Sequence, residues 1–244
     1  MDSTRQHNLL LLMRVIGLHE FNYPEILNLV DQALTHISAD RNKNFERLEF
    51  IGDAVLRLAA TEFIDRHYPN ISVGSCSSLR AQLVSDRWLA QMGDRLKLDS
   101  LLILGTKALG DSAARARLRT DATEALIGAI YAGSKSNLEP IHRWLTPYWQ
   151  QTTVEVLEAP HHFHGKTILQ EWSQAQGLGL PNYITDEQSS HHGDPERFHS
   201  EVRVGKRLRA EGLGRSRKEA EQNAASAAVQ VIQDRDVTDA ASPK

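Results

Sequence analysis

The sequence predicts a mostly helical domain followed by a small α+β module of order α-β-β-β-α. Three observations predict this. Apolar residues recur about every 3.6 residues through the first 150 positions, with little β-branched alternation. That period vanishes over residues 158–165. Beyond it, three short strand-like segments lie between two amphipathic helices. The chain has 244 residues, 41 % of them apolar and 24 % charged, a composition that can bury one or two cores.

In order, helices are expected over 5–16, 24–36, 45–67, 75–93, 113–132 and 138–157. Gly17, Pro24, Pro69, Gly74, Gly105, Gly110 and Gly133 punctuate them. Glu158-Ala-Pro-His-His-Phe-His-Gly165 reads as a linker, and histidines on a flexible linker ligate nothing specific. A helix over 166–176 follows, then strands over 181–187, 197–204 and 206–211, then an Ala-rich helix over 216–233. Residues 234–244 have no period and are expected to be disordered. The expected organisation is a domain over 1–157, a linker over 158–165, a module over 166–233 and a tail.

No apolar run approaches the roughly 18 residues that a membrane span needs, so no membrane partner is expected. No secretory signal is visible at the N-terminus. A single cysteine, Cys76, leaves no internal disulfide or multi-cysteine zinc site, and fits a reducing cytoplasm. Net charge is −3, yet residues 203–218 carry seven basic side chains against one acid, Glu211. Such a local patch is what binds a polyanion.

The most informative stretch is Asn44-Phe-Glu-Arg-Leu-Glu-Phe-Ile-Gly-Asp-Ala-Val-Leu. On a helical wheel its apolar residues cover nearly the whole circumference, which predicts a helix buried on more than one side. Glu46, Glu49 and Asp53 share one sector by their i, i+3, i+7 spacing. Clustered carboxylates on a buried helix repel one another unless something compensates them. Arg57, four residues after Asp53, offers an ordinary ion pair for one of the three. A hard divalent cation would compensate them all, and oxygen-only ligands suit Mg²⁺ or Mn²⁺. Asp121-Ala-Thr-Glu-Ala-Leu-Ile-Gly repeats the design, with Asp121 and Glu124 three apart. Gly52 and Gly128 would let the two helices approach closely and set four carboxylates around one point. His36 and Cys76 are read as structural. A di-iron carboxylate protein needs two Glu-x-x-His pairs, and only Glu139-Pro-Ile-His142 fits.

These stretches resemble the ribonuclease III family, in which an Asn-Glu-Arg-Leu-Glu-Phe-Leu-Gly-Asp core recurs. Here Phe45 is an extra residue between the Asn and the Glu-Arg. Asp121-x-x-Glu124-Ala-x-x-Gly is similar to the family's second acidic motif, and Ala33-Leu-Thr-His-Ile-Ser and Leu79-Arg-Ala-Gln-Leu-Val-Ser match further segments. The resemblance spans about residues 10–233. It implies an all-α endonuclease domain that hydrolyses double-stranded RNA as a homodimer, leaving 5′-phosphate and 3′-hydroxyl ends, as in ribosomal and messenger RNA precursor processing. It implies Glu49, Asp53, Asp121 and Glu124 as metal ligands, with Asp53 and Glu124 catalytic and Mn²⁺ able to replace Mg²⁺. Glu46 becomes an accessory acid and Phe50 a plug at the subunit interface. Val73 stands where many members carry a glutamate. The alternative is a non-catalytic double-stranded RNA-binding scaffold, against which the four retained acids argue.

The C-terminal unit resembles a double-stranded RNA-binding domain in Lys166-Thr-Ile-Leu-Gln-Glu-Trp, Leu180-Pro-Asn-Tyr and Gly212-Leu-Gly-Arg-Ser-Arg-Lys-Glu-Ala. Ser216 is a candidate N-cap, and Arg215, Arg217 and Lys218 sit where a helix N-terminus already favours phosphate. Gln170 and the loop histidine His192 would take minor-groove contacts, because such modules read the shape of A-form RNA. Trp172, Ala224, Ala225 and Ala228 are read as module core.

Overall fold

The computed structural model describes residues 1–105, 112–158, 160–191, 194–206 and 208–240. The chain divides into two compact units, Met1–Thr153 and Val154–Lys244, and the division falls inside a helix.

The first unit is built from helices α1 (Ser3–Val15), α2 (Pro24–Ala33), α3 (Glu46–His67), α4 (Val73–Leu83), α5 (Asp86–Arg95), α6 (Ser112–Gly133) and most of α7 (Glu139–Glu158). α2 stops at Ala33, short of the expected residue 36, because Thr35 pairs with Ile103 in an isolated parallel bridge. The single helix expected over 75–93 is two. Ser85 interrupts it, its side chain accepting the Trp88 amide and so capping α5. α4 begins earlier than expected, at Val73, capped by Ser72.

The core is aliphatic with an aromatic knot. Phe63 stacks 5.4 Å from Trp149, and Trp88 lies 6.3 Å from the same indole. Both indole N–H groups find acceptors, Trp88 donating to the Thr152 hydroxyl and Trp149 to the Leu83 carbonyl. The extra residue Phe45 is buried, with its ring edge-on to His36. α3 departs from the expectation of all-round burial. Phe50 is 76 % exposed and Leu58 50 %, and with exposed Ala54 they form an apolar i, i+4, i+8 stripe facing solvent. Among the described residues nothing in its own unit covers Phe50, so it is not intrachain core.

The site is positioned by the contact between α3 and α6. A Cβ on Gly52 would lie 1.8 Å from the Glu124 carbonyl oxygen, and one on Gly128 would lie 2.1 Å from that of Leu48. Each backbone therefore fills the space a side chain would need on the other.

The second unit contains α8 (Pro160–Ala175), β1 (Asn182–Glu187), β2 (Phe198–Val204), β3 (Leu208–Gly214) and α9 (Arg217–Ala240). The strands form an antiparallel sheet of order β1-β2-β3. Asn182 pairs with Arg203, and Val204 with Leu208. Leu169 of α8, Val202, Val204 and Leu208 of the sheet, and Ala224, Ala225 and Ala228 of α9 make one core, with Trp172 packed against it. Two expectations give way here. Residues 160–165, assigned to a linker, are the first turns of α8, and residues 234–240, assigned to a disordered tail, continue α9.

Candidate metal centre and nucleic-acid interface

Two helices supply the acids. Just ahead of α3, the Asn44 side chain accepts the Glu46 amide, while Phe45, at the N-cap position, makes no side-chain capping hydrogen bond. Glu49 on α3 and Asp121 and Glu124 on α6 are each half-buried. Their carboxylate oxygens come within 4.8 Å of one another. The fourth predicted acid, Asp53, stands apart from this trio. It accepts a hydrogen bond from Arg57 Nε at 2.9 Å, the ordinary ion pair that the i, i+4 spacing allows. Its charge is nonetheless felt at Glu124. Glu46 is exposed at the start of α3 and adds to the negative field on Glu49.

The electrostatics show the cost of this arrangement. Burial pushes the Glu124 carboxyl up to about 7, helped by Asp53, Glu49, Asp121 and Asp86. Burial also raises Glu49, with Asp121 adding to the rise and the Arg117 guanidinium opposing it. Asp121 is raised by burial and held down by Arg117, whose Nε lies 3.4 Å away. Three mutually repelling, oxygen-only donors half-withdrawn from water are a donor set suited to a hard divalent cation.

A cavity of about 340 Å³ opens over the trio. Besides the three acids it is lined by Asp86 and Arg87 of α5 and by Arg117 and Thr120 of α6, among others. Sequence reasoning missed Asp86, Arg87 and Arg117. The signal for the first two was Ser85-Asp86, an N-cap followed by a first-turn acid, which would have started a new helix there.

In the second unit, Ser216 accepts the Glu219 amide and Glu219 accepts the Arg215 amide, a reciprocal cap at the start of α9. Arg215, Lys218 and Gln170 are exposed. Arg217 is turned inward along the surface, donating to the Thr185 carbonyl and lying over the Phe198 ring. His192 lies outside the described residues. The basic run over 203–218 is not one patch. Strand alternation puts Arg203 and Arg209 on the sheet face away from the Val202–Val204 core, where both pair with Glu201.

Comparison with known proteins gives the family of each unit. A family model described as ribonuclease-III-like matches residues 27–147, and one for the double-stranded RNA binding motif matches residues 166–232. A protein named Ribonuclease 3 from Prochlorococcus marinus is 48 % identical over 206 residues, covering 84 % of this chain and 82 % of that one. One named Ribonuclease 3 2 from Synechocystis is 41 % identical over 226 residues, covering 93 % and 92 %. Among solved structures, the nuclease domain of ribonuclease III from Campylobacter jejuni aligns with 55 % of this chain and 96 % of its own at 29 % identity and a TM-score of 0.47.

Proposed function

The chain belongs to the ribonuclease III family and is an endoribonuclease with a double-stranded RNA-binding domain, and from that premise we propose that Glu49, Asp53, Asp121 and Glu124 form its Mg²⁺-dependent cutting site. The observation that carries the reading is the meeting of Glu49, Asp121 and Glu124 oxygens within 4.8 Å. These three would hold the ion, with Mn²⁺ as a substitute. Asp53 would join them by letting go of Arg57, and Glu46 would serve as an accessory acid.

A bound Mg²⁺ would supply charge neutralisation at the phosphodiester and a more acidic water. The protein's own residues do the positioning. The α3–α6 contact holds together the two helices that carry Glu49, Asp121 and Glu124, so these three would need little rearrangement, and Asp53 is the acid that must move. With the 3′-oxygen leaving, the products carry 5′-phosphate and 3′-hydroxyl ends.

Duplex RNA would dock through Gln170, His192, Arg215, Ser216 and Lys218, with Arg217 bracing the start of α9. The exposed stripe of Phe50, Ala54 and Leu58 supports a homodimer in which a second copy covers Phe50. We assign the protein to the cytoplasm, whose reducing conditions suit the free thiol of Cys76, and to the maturation of ribosomal and messenger RNA precursors through their duplex stems.

The test is incubation of the full chain with a long perfect RNA duplex in Mg²⁺ or in EDTA, with product ends mapped. Cuts bearing 5′-phosphates in Mg²⁺ alone are expected. Equal cutting in EDTA would overturn the reading.

A further inference from the structure

The cavity over the acids is also lined by two arginines, Arg87 and Arg117, which the acid motifs do not explain, and by a further acid, Asp86. α6 carries Arg115, Arg117 and Arg119 at alternate positions, and of these only Arg117 lines the cavity. Arg119 is anchored, donating to Asp94 at 2.6 Å with its side chain 19 % exposed. Arg117 is the opposite case. Its side chain is 77 % exposed, and its one ion-pair partner among the described residues is Asp121 at 3.4 Å, beyond good hydrogen-bond length. The order of that pair is also the poorer one for a helix. An acid placed four residues before its base is favoured over a base placed before its acid. Asp53 and Arg57 have the good order and meet at 2.9 Å. Arg87, exposed on the first turn of α5, lines the same cavity.

A loosely held guanidinium beside a cluster of acids has two chemical uses. It partly neutralises the acids, and its planar donor fork matches a phosphate. The reaction brings a phosphodiester to this spot. We propose that Arg117, seconded by Arg87, grips a phosphate of the RNA strand being cut, and that its pairing with Asp121 is the resting position from which it swings. The proposal rests on the metal-site reading above and adds a substrate contact to it. With an ion and RNA both bound, Asp121 would serve the ion and Arg117 the phosphate. Arg117 and the ion therefore compete for Asp121 in the absence of RNA.

That competition separates a substrate contact from a merely structural pair. The experiment compares the full-length wild type with Arg117→Ala and Arg117→Lys. Mn²⁺ affinity without RNA is read by electron paramagnetic resonance. RNA affinity is read in Ca²⁺ across a range of salt, and KM and kcat are read in Mg²⁺. The alanine variant should bind Mn²⁺ at least as tightly as wild type. It should raise KM by about tenfold, as expected for the loss of one charged phosphate contact. Its salt slope for RNA should fall by about one phosphate contact. Lysine, keeping the charge but not the fork, should restore the salt slope and only part of KM. Weaker Mn²⁺ binding in the alanine variant would mean that Arg117 merely orients Asp121, and would overturn the proposal. So would an unchanged KM and salt slope. Absence of Mn²⁺ binding by the wild type would instead remove the metal-site reading, so the two failures are distinct.

Discussion

Glu124→Gln should make the metal-free protein more stable while destroying its cleavage activity. The wild-type carboxyl is pushed up to about 7 from an ordinary value of 4.5, first by burial and then by its acidic neighbours. In the unfolded chain the same group ionises near 4.5 without penalty. Between those two values the native state holds the proton more tightly than the unfolded state does, so wild-type stability falls as pH rises from about 4.5 to about 7. The full shift corresponds to at most about 3 kcal/mol. Glu124 is half-open to solvent, and screening reduces this to about 1–2 kcal/mol. Glutamine carries no charge and escapes the penalty. At pH 8 in EDTA the nuclease unit of Glu124→Gln should therefore melt several degrees above wild type, about 2–4 °C for each kcal/mol. The gap should close as pH falls towards 4.5. Added Mg²⁺ should stabilise the wild type and leave the variant nearly unmoved. Differential scanning calorimetry at three pH values, with and without Mg²⁺, reads all of this. A variant no more stable than wild type at pH 8, or a gap that persists at low pH, would refute the reasoning.

Two further perturbations probe the scaffold and the RNA-binding unit. Gly52→Ala would drive a methyl to within 1.8 Å of the Glu124 carbonyl, so α3 and α6 must separate. A loss of about 3 kcal/mol or more in urea unfolding is expected, with activity falling alongside it. Lys218→Ala should leave the melting of the second unit unchanged and lower the salt slope of RNA binding by about one, measured by fluorescence anisotropy. Arg217→Ala should instead destabilise that unit, because it removes the link from α9 to the Thr185 carbonyl and the Phe198 ring.

Much of the fold was legible because the strongest signals were local. The i, i+3, i+7 acids of α3 and the Asp121–Glu124 pair could be placed on helix faces by spacing alone, and the two glycines foretold the close approach of those helices. Where the reading failed, a tertiary fact decided. The apolar period runs unbroken from α4 into α5, so the cap at Ser85 was overlooked, and Asp86 and Arg87 with it. Asp53 had two possible partners, and the spacing could not say that Arg57 would claim it. Pleat alternation divides a basic run that looks continuous in one dimension, sending Arg203 and Arg209 to Glu201 and leaving Arg215 and Lys218 at the helix start. The segment after Pro160 has helical neighbours in α9, since Gly165 approaches Ser226 too closely for a Cβ to fit between them. That packing orders residues whose own composition suggested a linker.

The most direct measurement is anomalous diffraction from crystals of the full chain soaked in Mn²⁺. The account requires a peak of anomalous density among Glu49, Asp121 and Glu124, with Asp53 released from Arg57 towards it. A well-ordered site with no peak at saturating Mn²⁺, or a peak held only by residues elsewhere, would contradict it.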